Sequence, residues 1–142
     1  PMPELGFSNS AEFKTSDEAN ACMWLRYLFV YWNSDTLHIG RATPREWLGV
    51  RGNWGVTDLA TYHGKLDVTY VPDPANHTIT CQVNRREPRG APRTLARFRH
   101  PEKKGIVQVS VNGTPWDRFD SEANDVDITG LEGSVKIVAS FA

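Results

Sequence analysis

Residues 106–116 read IVQVSVNGTPW, and they set the fold class. Val107, Val109 and Val111 alternate with Gln108 and Ser110, a period of two that turns one face of a strand to a core and the other to water. Asn112-Gly113 follows at once. Both positions tolerate positive φ, which makes the pair the strongest short hairpin signal a sequence carries. Outward from this stretch the alternation recurs, in Leu66/Val68/Tyr70 and in Val135/Ile137/Ala139/Phe141. The runs YHGKLDVTYVP, HTITCQVN, TLARFRHP, NDVDITG and GSVKIVASF are separated by Gly, Pro and Asn. Many short strands punctuated in this way predict an all-β fold, an antiparallel β-sandwich.

The N-terminal part reads differently. Residues 1–22 form a polar, irregular segment with a helix start at Ser16 or Asp17, and residues 23–142 form the sandwich domain. The longest apolar run, ACMWLRYLFVYW, is interrupted by Arg26 and too short to cross a bilayer. Its aromatic residues suit a buried strand, with Trp24 in the core. WLRYLFVYW, the turn-forming NSD and TLHIG then make a hairpin. In TPREWL, Thr43 caps, Pro44 takes the first helical position and Glu46 completes a capping box. That predicts at most one short helical turn, with Trp47 and Leu48 packed on the sandwich. Cys81 alternates with Thr80 and Gln82 and faces inward, so Cys22 and Cys81 read as free thiols rather than a bridge.

The chain of 142 residues fits one domain, and its formal net charge of -1 lacks the broad basic surface of a nucleic-acid binder. Arg85, Arg86, Arg89 and Arg93 cluster around Pro88, Gly90 and Pro92, the pattern of a solvated loop. The N-terminus has no signal-peptide pattern and starts with proline, so an excised piece of a longer protein is expected. Neither nucleic acid nor membrane is an expected partner. Catalytic signatures are missing: no G-x-S-x-G elbow, P-loop, dinucleotide-binding glycine pattern or H-E-x-x-H. His38, His63, His77 and His100 are far apart in sequence, and the two cysteines make no zinc motif. The acidic run DRFDSEANDVD holds carboxylates enough for a glycosidase, yet reads as solvated turn formers. Its oxygens suit calcium, but the spacing is not that of an EF-hand loop. No cofactor is assigned, and calcium is the one candidate ion.

The aromatic residues point furthest. Trp32 precedes the NSD turn, Trp54 lies in RGNWGV, Tyr62 begins a strand and Trp116 follows the hairpin. Large rings at loop positions are hard to bury. Sugar rings lay their C–H faces on such rings while polar neighbours take the hydroxyls. The candidate carbohydrate-binding residues are therefore Trp54, Trp32, Tyr62, Trp116, Asn53 and Arg51, with Asn33 and Asp35 close in sequence. Rings that cover the ends of the sandwich are the alternative.

The phrases LHIGRATPREWL, YHGKLDVTYV, FRHPEKKGIVQVSVNGTPWDRFD and GSVKIVASF, spread over residues 24–141, carry a resemblance. The chain resembles the C-terminal β-sandwich accessory module of large bacterial carbohydrate-active enzymes, including glycoside hydrolases with helical-barrel catalytic domains. The resemblance implies a domain that packs on a catalytic domain, binds glycan, or does both. It carries no catalytic residue, makes Trp116 a feature of the module's architecture, and leaves Trp32 and Trp54 as departures from polar loop residues. The expected function is a non-catalytic carbohydrate-binding module of a polysaccharide-degrading enzyme, holding polysaccharide or oligosaccharide. The alternative is a structural accessory domain docked on the parent's catalytic domain without glycan affinity. Its location would be secreted or periplasmic if the parent carries a signal peptide.

Overall fold

A computed structural model of the chain describes residues 15–33, 35–90 and 92–142. The helix α1 (Thr15–Phe29) leads into β1 (Val30–Trp32), β2 (Thr36–Ile39), β3 (Trp54–Thr61), β4 (Gly64–Asp73) and β5 (Thr78–Arg86). Then come β6 (Arg93–Arg97), β7 (Ile106–Val111), β8 (Thr114–Pro115), β9 (Phe119–Asp120), β10 (Asp125–Asp127) and β11 (Ser134–Phe141). The strands form a five-stranded sheet in the order β1-β2-β6-β10-β9 and a six-stranded sheet in the order β3-β4-β5-β11-β7-β8. Only β2 and β6 pair in parallel among these strands. The fold is the all-β sandwich that the alternation predicts.

That alternation builds the core. Leu66, Val68 and Tyr70 of β4, Ile79, Cys81 and Val83 of β5, and Val135, Ile137, Ala139 and Phe141 of β11 are buried on one inner face. Val30, Leu37, Ile39, Ala96 and Val126 are buried from the other sheet. Tyr70 stands fully buried between the sheets, and a phenol there needs a partner. Its hydroxyl donates to the Arg97 carbonyl at 2.9 Å, while its ring meets Phe98 edge to face at 5.7 Å. The Asn112-Gly113 turn has φ of 50° and 82° and joins paired Val111 and Thr114, as a two-residue hairpin loop requires.

Several expectations are corrected. The run ACMWLRYLF is helical, and only Val30–Trp32 is strand. Trp24 is 68% exposed instead of core. Helix formers dominate up to Leu28, and α1 crosses the expected boundary between residues 22 and 23; residues 1–14 lie outside the described chain. The hairpin reading survives in its second half, where β1 and β2 pair with Val30 facing Ile39.

Thr43 makes no capping box: the 3-10 turn Glu46–Gly49 has Arg45 at its N-cap and no side-chain cap bond. The Thr43 hydroxyl instead donates to the Leu28 carbonyl at 2.7 Å, satisfying one of the carbonyls that a helix end leaves unpaired. Val107 points out, 59% exposed. The register shifts by one between Ser140, opposite Gln108, and Phe141, opposite Ile106. Val107 is the extra residue of a bulge, and Ile106 takes the inward place. Arg85 is not in a solvated loop either. The strand β5 runs on to Arg86, and alternation turns Arg85 inward behind Val83.

Cys22 is exposed and Cys81 buried, both free, and burial pushes the Cys81 thiol up to about 12. A thiol reagent at pH 8 is expected to label Cys22 alone until the protein unfolds, because the thiolate is the reacting form. Cys22→Ser should alter stability by less than about 0.5 kcal/mol. Rapid labelling of both thiols in the folded state would contradict this placement.

Candidate functional site

The proposed rings are spread over both sheets. Trp54 and Tyr62 sit at opposite ends of β3, roughly 25 Å apart at a strand rise of ~3.3 Å per residue. Trp116 follows β8, at the far edge of the six-stranded sheet from β3, roughly 24 Å away at ~4.8 Å per strand. Trp32 belongs to the other sheet.

Three of these rings pack. Trp32, Trp54 and Trp116 are partly buried against the core. Trp54 stacks on Trp47 at 5.0 Å and 23°, and Trp47 in turn meets Phe29 at the end of α1 at 6.2 Å. Trp32 lies beneath the helix, with Tyr27 edge-on at 6.5 Å and the Arg26 guanidinium 5.7 Å from its centre. Arg26 also donates to the Ala60 carbonyl of β3, so the helix ties edge strand β1 to edge strand β3. The opposite edge is closed by Trp116. Its indole N–H donates to the Asp127 carbonyl of β10 at 3.1 Å, and the Arg118 guanidinium covers its ring at 4.6 Å. The loop tryptophans close the two open edges of the sandwich. Tyr62 alone of the four rings is open, at 74% exposure, and Arg51 and Asn53 are exposed at the other end of β3.

One exposed apolar feature lies outside the sequence candidates. On α1, Trp24 and Leu25 are 68% and 65% exposed. With exposed Ala21 they follow the spacing i, i+3, i+4 of one helix face, while Leu28, a turn further on, is packed against the core. Met23, Arg26 and Tyr27 are half-buried on the side that meets the sandwich. The helix is thus apolar on two faces, one packed and one open. The spacing was present in the sequence, but the aromatic, β-prone residues around it masked the helical period.

The other candidates are occupied. In the acidic run, Asp120 accepts the backbone N–H of Glu122 and Ala123 at 2.8 and 2.9 Å, which holds its carboxyl below the usual range. Asp125 is gripped by Arg97 through Nε at 2.7 Å and Nη2 at 2.6 Å. These are turn formers and an ion pair. No three His, Cys, Asp or Glu side chains gather to hold a metal among the described residues. A cleft of about 160 Å³ opens between Pro74, His77, His100, Glu102, Lys104 and Phe141. Within it Lys104 pairs with Glu102 at 3.1 Å and His100 Nδ1 accepts the Glu102 N–H at 3.2 Å, while Asp73 Oδ1 in its wall is buried without a partner. Burial lowers the basicity of that imidazole.

No family model matches the chain, and no curated protein matches it. Solved structures do. A GH127 β-L-arabinofuranosidase from Geobacillus stearothermophilus T6 superposes with a TM-score of 0.50 and 14% identity, over 89% of this chain and 18% of that one. A second chain, described as a glycoside hydrolase, gives 0.51 and 16%, over 100% of this chain and 24% of that one. The fold recurs within glycoside hydrolases. At these identities the likeness is one of fold, and this chain spans no more than a quarter of either neighbour.

Proposed function

We propose that this chain is a non-catalytic accessory β-sandwich of a glycoside hydrolase, docked on another domain of the longer polypeptide through the open face of α1. The observation that carries the proposal is the exposure of Trp24 and Leu25 on a helix already packed on its other side. A helix apolar on both faces needs cover on both. Burying those two side chains contributes roughly 3–6 kcal/mol at about 1.5–3 kcal/mol each. Support also comes from the two solved neighbours, in which the matched region is a minor part of a much longer hydrolase chain. Docking is favoured over glycan binding because the rings proposed for stacking are spent on closing the sandwich. Tyr62 is the one open ring among the four stacking candidates.

The test compares two settings. In the isolated chain, Trp24→Ser with Leu25→Ser should leave the unfolding midpoint nearly unchanged, as for other exposed sites, and should reduce binding of an apolar dye. In the larger hydrolase the same pair should lower the midpoint and loosen the domain to protease. Affinity electrophoresis of the isolated chain in soluble polysaccharides should show no retardation. Strong retardation, abolished by Tyr62→Ala and untouched by the α1 changes, would replace docking with glycan binding.

A further inference from the structure

The cleft of about 160 Å³ forms where the 3-10 turn Glu46–Gly49, the turn between β4 and β5, the loop 100–104 and the end of β11 meet. Its apolar lining comes from buried Leu48, Ile79 and Phe141, and the His100 ring lies on Phe141 at 4.6 Å. Backbone ties hold the walls in place. The Phe141 N–H donates to the His77 carbonyl at 3.0 Å, and the Arg45 guanidinium donates to the His100 carbonyl at 2.7 Å. A cleft fixed in advance spares a ligand the cost of ordering it.

The polar lining mixes both signs. Asp73 and Glu102 supply carboxylates, Lys104 an ammonium, and His77 and His100 imidazoles. Glu102 and Lys104 pair at 3.1 Å, but an ammonium donates more than once and a carboxylate accepts more than once. His100 Nδ1 accepts the Glu102 N–H at 3.2 Å, which puts the proton of the neutral ring on Nε2, and burial favours that neutral form. Asp73 Oδ2 accepts from Asn76 at 2.6 Å, while its Oδ1 is buried without a donor. An anion entering here meets two carboxylates, and a cation meets the Lys104 ammonium. A hydroxyl group, donor and acceptor at once, matches such a wall. Size narrows the ligand further. A cavity of about 150 Å³ takes a benzene molecule, so this cleft has room for a single six-membered ring.

We propose that the cleft binds one neutral sugar ring, its C–H face on the apolar lining and its hydroxyls held at the open rim by Glu102, Lys104 and His77. The site is separate from the α1 face and from all four loop rings, and it adds a ligand to a domain otherwise read as structural. Only chain ends offer a free ring, and ends are scarce in a soluble polysaccharide. Retardation in such a polymer therefore reports on the loop rings and not on this cleft.

The experiment follows the Cε1–H resonances of His77 and His100 in this chain during titration with methyl glycosides of xylose, arabinose, glucose, galactose and mannose. Methyl glucuronide, methyl glucosaminide and the open-chain polyol sorbitol are the controls. A saturable shift with at least one neutral glycoside and none with the controls is expected, at the millimolar affinity open to so small a ligand. Glu102→Ala with Lys104→Ala removes two side chains open to solvent, so the unfolding midpoint should hold and the affinity should fall roughly tenfold. Trp24→Ser with Leu25→Ser, and separately Tyr62→Ala, should leave the response intact, which separates this site from docking and from the loop rings. The proposal is overturned if no neutral glycoside moves either resonance, if a charged or open-chain control binds as well, or if the Glu102 and Lys104 double variant keeps its affinity. Should that variant fail to fold, the titration of the unchanged chain decides by itself.

Discussion

Gly40→Ala is expected to destabilise the chain by roughly 3–5 kcal/mol, combining overpacking with a strained backbone. Gly40 directly follows β2 with φ of +69°, where a Cβ would stand 2.0 Å from the Tyr70 hydroxyl oxygen and 2.7 Å from the Arg97 carbonyl oxygen. Those two atoms are already joined by the hydrogen bond that satisfies the buried phenol. Any shift that admits a methyl group must part them, leaving polar groups unpaired in the core. The Gly40 N–H also donates to the Phe29 carbonyl at 2.7 Å, so the damage reaches the end of α1. Chemical denaturation measures the loss directly. A change below about 1 kcal/mol, the size of an ordinary surface effect, would show that β2 and Tyr70 can separate freely.

Trp54→Ala should lower stability by roughly 2–3 kcal/mol and leave polysaccharide affinity unchanged. A fully buried tryptophan costs about 3–5 kcal/mol on truncation, and Trp54 is only half-buried. Its stack on Trp47 adds about 0.5–1.5 kcal/mol beyond area. Its indole N–H, buried without an acceptor, offsets part of that gain, because removing it relieves an unmet donor. Trp32→Ala should behave similarly, with a further loss in the anchoring of α1, since Tyr27 and Arg26 both rest on that ring. The measurements are the unfolding midpoint and affinity electrophoresis on each variant. A stable Trp54→Ala protein with weakened glycan affinity would restore that ring to a stacking role.

The legible parts of the chain are those set by neighbours in sequence. Alternation in β4, β5 and β11 assigns the inner face correctly because a strand has only two faces and a core admits one of them. Asn112-Gly113 is legible for the same reason: the turn's positive φ values are a property of the two residues themselves. Trp47 reads as a packing residue from its immediate context, and it stacks on Trp54; Trp116 is a stacking candidate that only the resemblance marks as architectural, and it is partly buried against the core. Where the local signal was double, it failed. Residues 21–29 hold a helical spacing of Ala, Trp, Leu and Leu inside an aromatic run that also suits a strand, and propensity over so short a window decides neither way.

Tertiary structure decided the rest. Whether Val107 faces in or out depends on a one-residue mismatch with β11, which no local pattern of β7 contains. Thr43 could cap its own turn or the end of α1, and the choice depends on a carbonyl 15 residues away. The fate of the loop tryptophans is of the same kind. An exposed position in the sequence becomes a half-buried one when the edge of a sandwich needs closing, and which edge needs closing is known only once both sheets are assembled. Composition and periodicity thus determined a two-layer β domain with its core faces. The closure of its edges, the open face of α1 and the partner of the Thr43 hydroxyl arise from contacts between distant segments, whose free energies exist only in the folded chain.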